Sequence, residues 1–383
     1  MACYNACPHS AIAMVEDDWG EAAPVIDELE CVDCGRCTAA CPILRPVSLH
    51  DPGDCYAAWT RDPENRAACS SGGIATTLAI EVLRRGGVVF GTALDDEFAL
   101  RFSGACSVQE AQRFRGSKYV FGNVGLCYAN VNRYLKAGRP VLFVGCPCQV
   151  AGLRAYLRHD HESLTTVDLV CHGAPPGRYL QEHLNRVLTR RDNITDVRFR
   201  GEGEFRLQAH SGNQTVYSRS KLMDSYYYAF LKGVSYREIC YECPYARQAR
   251  CSDITLGDFW GLDRSALHQD DGGRVSLVLI NTEVGRRLFR SVSGLIHKEE
   301  RSLSEAVSGN VQLRKPSTRH RYRESFLQSY PVQGFERALI SSGVTRERLV
   351  AVVLESGPVR RLRLLKRRVR SSGAPRRSWR QSS

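Results

Sequence analysis

The stretch Val141-Leu142-Phe143-Val144-Gly145-Cys146-Pro147-Cys148-Gln149, taken with Thr165-Thr166-Val167-Asp168-Leu169-Val170-Cys171-His172-Gly173, decides the fold. The apolar run Val141 to Val144 reads as a short buried strand, and helical sequence follows from Val150 to Leu157. Thr165 to Val170 is the next strand. Strand, helix, strand is the parallel crossover unit, whose right-handed turn sets two parallel strands side by side or nearly so. Cys148 and Cys171 then fall just past strand carboxyl ends, where open α/β sheets hold their ligands. Cys148 also opens the helix, and a helix N-terminus favours a thiolate.

Working outward, Ile74, Leu78 and Val82 recur at i, i+4 and i+8. Ile74 to Arg85 therefore reads as a helix capped by the serines of Ser70-Ser71-Gly72-Gly73 and stopped by Gly86-Gly87. Val88 to Leu94 is a buried strand, and Val124 to Lys136 and Pro176 to Leu188 are helices. Val197 to Arg200, Phe205 to Ala209 and Thr215 to Ser218 suit an antiparallel section. Tyr226-Tyr227-Tyr228 lies in an expected helix, Leu222 to Leu231, as core rather than as a cofactor box. Ile254 to Gly261 reads as a strand and tight turn, Val275 to Ile280 as a strand, and Glu283 to Val292 as a helix.

The amino-terminal segment carries Cys31-x2-Cys34-x2-Cys37-x3-Cys41-Pro42, the bacterial ferredoxin spacing for a cubane [4Fe-4S] cluster. In two-cluster ferredoxins the fourth cysteine of one run ligates the other cluster. Cys3-x3-Cys7-Pro8 is the tail of a second run. Cys31, Cys34, Cys37 and Cys7 make one complete ligand set. Cys41 and Cys3 make half of another, whose two remaining cysteines are expected before Met1. Paired Cys-x2-Cys units also suit tetrahedral zinc, but the triple spacing and the two Cys-Pro endings favour the cubane.

The expected fold class is α+β or mixed α/β. A ferredoxin-like segment covers 1–50. A linker follows over 51–65, marked by the turn signals Asp51-Pro52-Gly53 and Asp62-Pro63. An α/β core with a partly parallel sheet has an N-terminal part over 66–155 and a C-terminal part over 156–315. A helical, basic, partly disordered tail takes 316–383. From Gly357 to Ser383 there are ten Lys or Arg and no acid, which accounts for most of the formal +12 charge. Val359, Leu362, Leu365 and Val369 fall at helical spacing within that tail. It reads either as an amphipathic helix in peripheral contact with anionic lipid or as a solvated arginine-rich end. No recognition fold accompanies the charge, so no specific nucleic-acid partner is expected.

Sixteen cysteines in 383 residues are too few for a disulfide scaffold and sit at ligand-like spacings. There is no secretory leader pattern and no apolar run of about eighteen residues. The expected location is the cytoplasm, peripheral to the inner membrane face if the tail meets lipid.

Six blocks in order resemble the coenzyme F-420 (deazaflavin) hydrogenase/dehydrogenase beta-subunit family. They are Ser70-Ser71-Gly72-Gly73, Arg115-Gly116-Ser117-Lys118-Tyr119, Gly145-Cys146-Pro147-Cys148-Gln149, Val167 to Gly173, Cys240-Tyr241-Glu242-Cys243 and Asp253 to Gly261. The resemblance implies an iron–sulfur flavoprotein oxidoreductase. It would pass electrons from a ferredoxin-like donor through [4Fe-4S] clusters to FAD, which reduces or oxidises a small organic substrate. The alternative is an electron-transfer subunit that feeds a partner enzyme and has no substrate site. The redox partner would be a ferredoxin or a hydrogenase/dehydrogenase-type subunit. Cys148, Cys171, Cys240 and Cys243 supply the four thiolates of one more cluster, with Cys146 and Cys251 in reserve. Cys146 stands where the family commonly has threonine. Ser71, Gly72 and Gly73 at a helix N-terminus, with Arg115 and Lys118, are the expected flavin-phosphate site. His172 is the catalytic candidate, with Asp258 and Trp260 closing the pocket. Cys55, Cys69, Cys106 and Cys127 are expected in the core. No Gly-x-Gly-x-x-Gly follows a strand, so no nicotinamide site is expected.

Overall fold

The computed structural model describes residues 1–189, 192–201 and 205–355. At its centre is an eight-stranded sheet. Its strands are β3 (Asp54–Thr60), β4 (Val88–Leu94), β5 (Leu100–Ala105), β6 (Val141–Gly145), β7 (Leu164–Leu169), β11 (Ile254–Asp258), β12 (Ser276–Ile280) and β13 (Ile296–Glu300). They lie in the order β13-β3-β12-β11-β7-β6-β4-β5. The neighbours β4, β6, β7 and β11 run parallel, while β5, β12, β3 and β13 are antiparallel to the strands beside them. Parallel strands need cover on both faces, which is why β6 is a continuous apolar run. Val141 and Phe143 face helices Cys127–Lys136 and Pro147–Leu157. Leu142 faces the other way, into the layer that holds helices Ile74–Arg84 and Glu283–Ser291.

Two smaller units flank this body. The amino-terminal lobe holds a hairpin, β1 (Ile12–Glu16) with β2 (Ala22–Ile26), and two short helices, Ala2–Ala6 and Arg36–Ala39. The other flank is a three-stranded antiparallel sheet of β8 (Asp196–Arg200), β9 (Phe205–Ser211) and β10 (Gln214–Ser220). An aromatic core fills the space behind it, with Tyr179, Tyr226, Tyr227 and Tyr228 essentially inaccessible. No described helix is long and apolar enough to cross a membrane.

The mixed α/β class, the parallel crossover of β6 and β7, and the antiparallel section stand as expected. Two expectations need correction. Residues 51–65 are not a linker, because β3 lies there, paired with both β12 and β13, and its Ala57 and Ala58 are fully enclosed. The turn signals were real, but they bracket a strand, and Asp62 accepts from the Glu64 and Asn65 amides to cap the next helix. The residues from 316 are helical as expected, but they are no free tail, for helices Arg323–Gln333 and Phe335–Ser341 pack Phe326, Tyr330 and Phe335 on Tyr179. The basic stretch 357–383 lies outside the described residues.

The carboxy-terminal helices are held by one ionic knot. His183 is 2.6 Å from Glu336 and 2.9 Å from Asp224, and Tyr217 donates to Asp224 at 2.8 Å. Burial opposes the imidazolium, but the hydrogen bonds its ring N–H groups donate to Asp224 and Glu336 prevail and raise its pKa to about 9 from 6.5. The stabilisation is therefore whole below about pH 6.5 and lost as pH climbs through about 9. By calorimetry, the melting temperature should fall between about pH 7 and 10 more steeply in the wild type than in His183→Gln. Parallel profiles would contradict this. His183→Ala, which leaves the enclosed Asp224 carboxylate without its cation, should cost about 3–5 kcal/mol.

Candidate functional site

Because β6, β7 and β11 are parallel, their carboxyl ends share one edge of the sheet. Cys146 and Cys148 follow β6, Cys171 and His172 follow β7, and Asp258 to Trp260 end β11. The loop carrying Cys240 and Cys243 folds over this edge, for Arg237 N–H donates to the Ala174 carbonyl just beyond Cys171.

The five thiols act on one another. Burial pushes the Cys148 thiol well up, and the charges of Cys171, Cys240 and Cys243 push it further. Burial and Cys171 likewise raise Cys240 to about 12, and Cys243 also rises through burial. Cys171 goes the other way, to about 7, because Cys146 hydrogen-bonds to its sulfur and Gly173 N–H and Arg250 favour the thiolate. The Gly173 amide reaches that sulfur at 3.4 Å. Gly173 has φ +117, and a Cβ there would stand 2.6 Å from the Tyr236 ring. Cys148 and His172 keep solvent contact although protein surrounds them closely, as side chains do at the mouth of a crevice. No three His, Cys, Asp or Glu among the described residues converge on a point fit for a single ion. A cubane asks for less, since its four irons stand at separate corners and each takes one thiolate. The donor set suits that group.

The lobe continues this row of sulfurs. Its two short helices, the first carrying Cys3 with Cys7 just after it and the second carrying Cys37 with Cys41 shortly after it, pack on each other. Asp33 and Gly35 take left-handed backbone, wrapping the loop around the exposed Cys31 and Cys34. Helix Ala2–Ala6 also packs on helix Pro147–Leu157, which Cys146 caps. Tyr245 is buried between the two groups, near Cys41 of the lobe and near Cys148, Cys243 and Cys251 of the body. Cys251 itself is inside, donating to the Pro147 carbonyl at 3.3 Å.

Beyond Asp258 the same edge turns cationic. Arg200 pairs with Asp258 and donates to Tyr119 at 2.8 Å. His172 senses both Asp258 and Arg200, and burial holds its pKa below the usual value. Trp260 stacks on Phe205, which also carries Arg200 at 4.0 Å. Ser70 and Ser71 do not cap the helix as expected. Ser70 accepts from Ser117 N–H at 2.6 Å, Ser71 donates to the Val275 carbonyl, and the cap is Gly73 in left-handed backbone. Gly72 is a packing glycine, for a Cβ would meet the Ala58 carbonyl at 2.4 Å. Its N–H donates to Ser276 at 2.9 Å and is not free for phosphate. The first turn of Ile74–Arg84 has no side-chain cap. Lys118 is half-buried, donates to the Arg113 and Arg115 carbonyls, and is pulled down to about 8 by burial. Arg115 has a buried Nε with no partner among the described residues. An orphaned guanidinium nitrogen beside a half-buried ammonium fits an anionic group such as a flavin pyrophosphate.

Residues 138–303 match the family model for the C terminus of the coenzyme F420 hydrogenase/dehydrogenase beta subunit. Residues 55–124 match the model for the N-terminal part of that same protein, and the two together span more than half the chain. The chain belongs to this family. Residues 1–43 match the 4Fe-4S dicluster domain, so this is an iron–sulfur member of an oxidoreductase family. No curated protein matches. One similar solved structure is the xenon-derivatized F420-reducing [NiFe] hydrogenase complex from Methanosarcina barkeri. It is 17% identical, with 78% of this chain and 92% of that chain covered and a TM-score of 0.46.

Of the sixteen thiols, Cys55, Cys69 and Cys127 are buried as expected, but Cys106 is exposed. No sequence signal pointed to Arg200, Arg237, Arg250 or Arg274, because single arginines carry no spacing. Arg250 is the most consequential for this beta-subunit fold. It is 2% exposed and 3.0 Å from Asp168, which is fully enclosed and has no well-aligned hydrogen bond among the described residues. It also donates to the Tyr245, Arg247 and Leu169 carbonyls. Arg250→Met should cost about 3–5 kcal/mol by stranding Asp168. Adding Asp168→Asn should recover part of that loss in denaturant titrations. A fully additive double variant would argue against the pairing.

Proposed function

We propose that this chain is an iron–sulfur flavoprotein that moves electrons between a redox partner protein and a small organic substrate. The observation that carries the reading is the gathering of Cys148, Cys171, Cys240 and Cys243 at one carboxyl edge, flanked by Lys118 and Arg115, which have no carboxylate partner among the described residues. In this reading Cys7, Cys31, Cys34 and Cys37 hold a cluster in the lobe. Cys3 and Cys41 are half of a second set, and the four inner thiols hold a third. Ser71, Gly73, Arg115 and Lys118 surround the phosphates of a bound FAD. When bound, clusters carry single electrons and a flavin exchanges hydride.

The chain's own residues do the rest. Arg237 and Arg250 offset the charge of the inner thiolates. Tyr245 fills the space between lobe and body and keeps water out of it. Trp260 and Phe205 offer a flat apolar wall for a planar substrate. His172, facing Asp258 and Arg200, is placed to hold a proton at its ring beside that wall. The exposed Cys31 and Cys34 put the outer set within reach of a docking ferredoxin or hydrogenase-type protein. All sixteen cysteines are free, which fits the reducing cytoplasm.

Iron, sulfide and flavin quantification on anaerobically purified protein tests the reading. A brown protein releasing FAD is expected. Colourless protein with stoichiometric zinc would overturn it, and clusters without any flavin would leave an electron-transfer role alone. Cys148→Ala and Cys240→Ala should each remove about four irons while the ferredoxin-type signal persists. Unchanged iron in both would disprove the inner set.

A further inference from the structure

The hairpin of the amino-terminal lobe reaches across to the loop of Cys240. Its turn, Asp17 to Glu21, is shaped from within. Asp17 accepts from the Trp19 and Glu21 amides at 3.0 and 2.8 Å, and Gly20 takes left-handed backbone. A Cβ on Gly20 would stand 3.2 Å from the Arg178 side chain, so the turn lies directly on helix Gly177–Val187. Glu16 pairs with Arg178 at 3.4 Å, and Trp19 Nε1 donates to the Leu327 carbonyl of helix Arg323–Gln333 at 3.0 Å. The turn is therefore seated on the body of the protein.

In that seat Glu21 meets the segment that carries Cys240. The cysteine lies in a single 3₁₀ turn, Glu238–Glu242, and Arg237 ahead of it offers no capping side chain. Glu21 supplies the cap from the lobe, for its Oε1 accepts from the Glu238 amide at 2.7 Å. Its Oε2 lies 3.8 Å from Arg237 Nε. The Arg237 carbonyl in turn accepts from the Cys240 amide at 3.0 Å. The Arg237 guanidinium, held 3.9 Å over the Phe121 ring, is one of the charges that favour the Cys148 and Cys240 thiolates. Burial pushes the Glu21 carboxyl up, and the Glu238 amide, Arg237 and Arg323 oppose this. The Glu238 side chain is gripped separately by Arg323 at 3.0 Å.

A carboxylate with these two contacts does two things. It fixes the direction of the turn on which Cys240 sits, and it cancels part of the field of Arg237. We propose that Glu21 is a positioning residue for the inner cluster, holding the Cys240 turn from the lobe and setting, through Arg237, how readily that cluster accepts an electron. Groups outside the ligand set orient the ligands and tune the metal in both of these ways. Net charge near a cluster moves its reduction potential. Retention of the inner cluster then depends on the seated lobe, although the lobe gives it no thiolate. The proposal rests on the inner cluster of the reading above.

The test uses the full chain, reconstituted anaerobically with iron and sulfide. The inner signal in electron paramagnetic resonance is the one that Cys240→Ala removes. In Glu21→Ala a chelator should strip the inner irons about tenfold faster than in the wild type, with the lobe irons released at the wild-type rate. Glu21→Gln keeps an oxygen for the Glu238 amide and loses the charge. It should retain the inner irons as the wild type does, while the inner midpoint potential moves upward because a nearby negative charge is gone. Unchanged retention in Glu21→Ala would overturn the proposal, and so would equal acceleration of both sets, which marks only a loosened lobe. Failure of Glu21→Gln to restore retention, or a wild-type potential in that variant, would overturn it too. Each of these results leaves the cluster reading standing. A wild type with no inner signal would remove that reading, and this proposal with it.

Discussion

Arg250 is the residue on which the arrangement depends. Its side chain gathers carbonyls from the Cys243 loop and from the end of β7, together with the Asp168 carboxylate. Its backbone pairs with His50 in both directions at 2.8 Å. One residue thus fixes the loop of Cys240 and Cys243, the strand end of Cys171 and the root of the amino-terminal lobe. An enclosed guanidinium is costly to desolvate, and it is held here because so many acceptors face it at once. The three cysteine-bearing segments therefore cannot shift independently.

This rigidity works against an electrostatic difficulty. Burial raises Cys148, Cys240 and Cys243, and each charged sulfur opposes the next. Only Cys171, supported by Cys146, Gly173 and Arg250, is favoured as a thiolate. A metal that takes all the sulfurs as thiolates reverses this, and its binding energy adds to the folding energy of the loop it closes.

Much of this was legible in the sequence and some was not, for definite reasons. Val141–Val144 announced itself because a strand buried on both faces leaves an unbroken apolar run, and Thr165–Val170 because β-branched residues follow the helix after it. The inner thiols were legible because two end strands of a crossover unit and two share a Cys-x2-Cys loop. Strand β3 was hidden by its turn-rich flanks and by alanines, which carry little periodic signal. The helical character after Arg323 was legible, but its packing on Tyr179 was not, because Pro331 and Gly334 break the apolar stripe. Ser70 and Ser71 suggested a cap, but tertiary partners claimed both hydroxyls. Arg200, Arg250 and Arg274 come from distant points in the chain, and nothing in their local sequence tells that they meet the site.

The outward placement of Cys31 and Cys34 has a consequence for survival in air. Leu29 beside them is 96% exposed, so this loop has little cover. Dioxygen or peroxide diffusing from solvent meets these two sulfurs with no cover over them, and the sulfenic-to-sulfonic ladder begins there. The buried Cys251, enclosed beside Tyr245, would be among the last sulfurs lost.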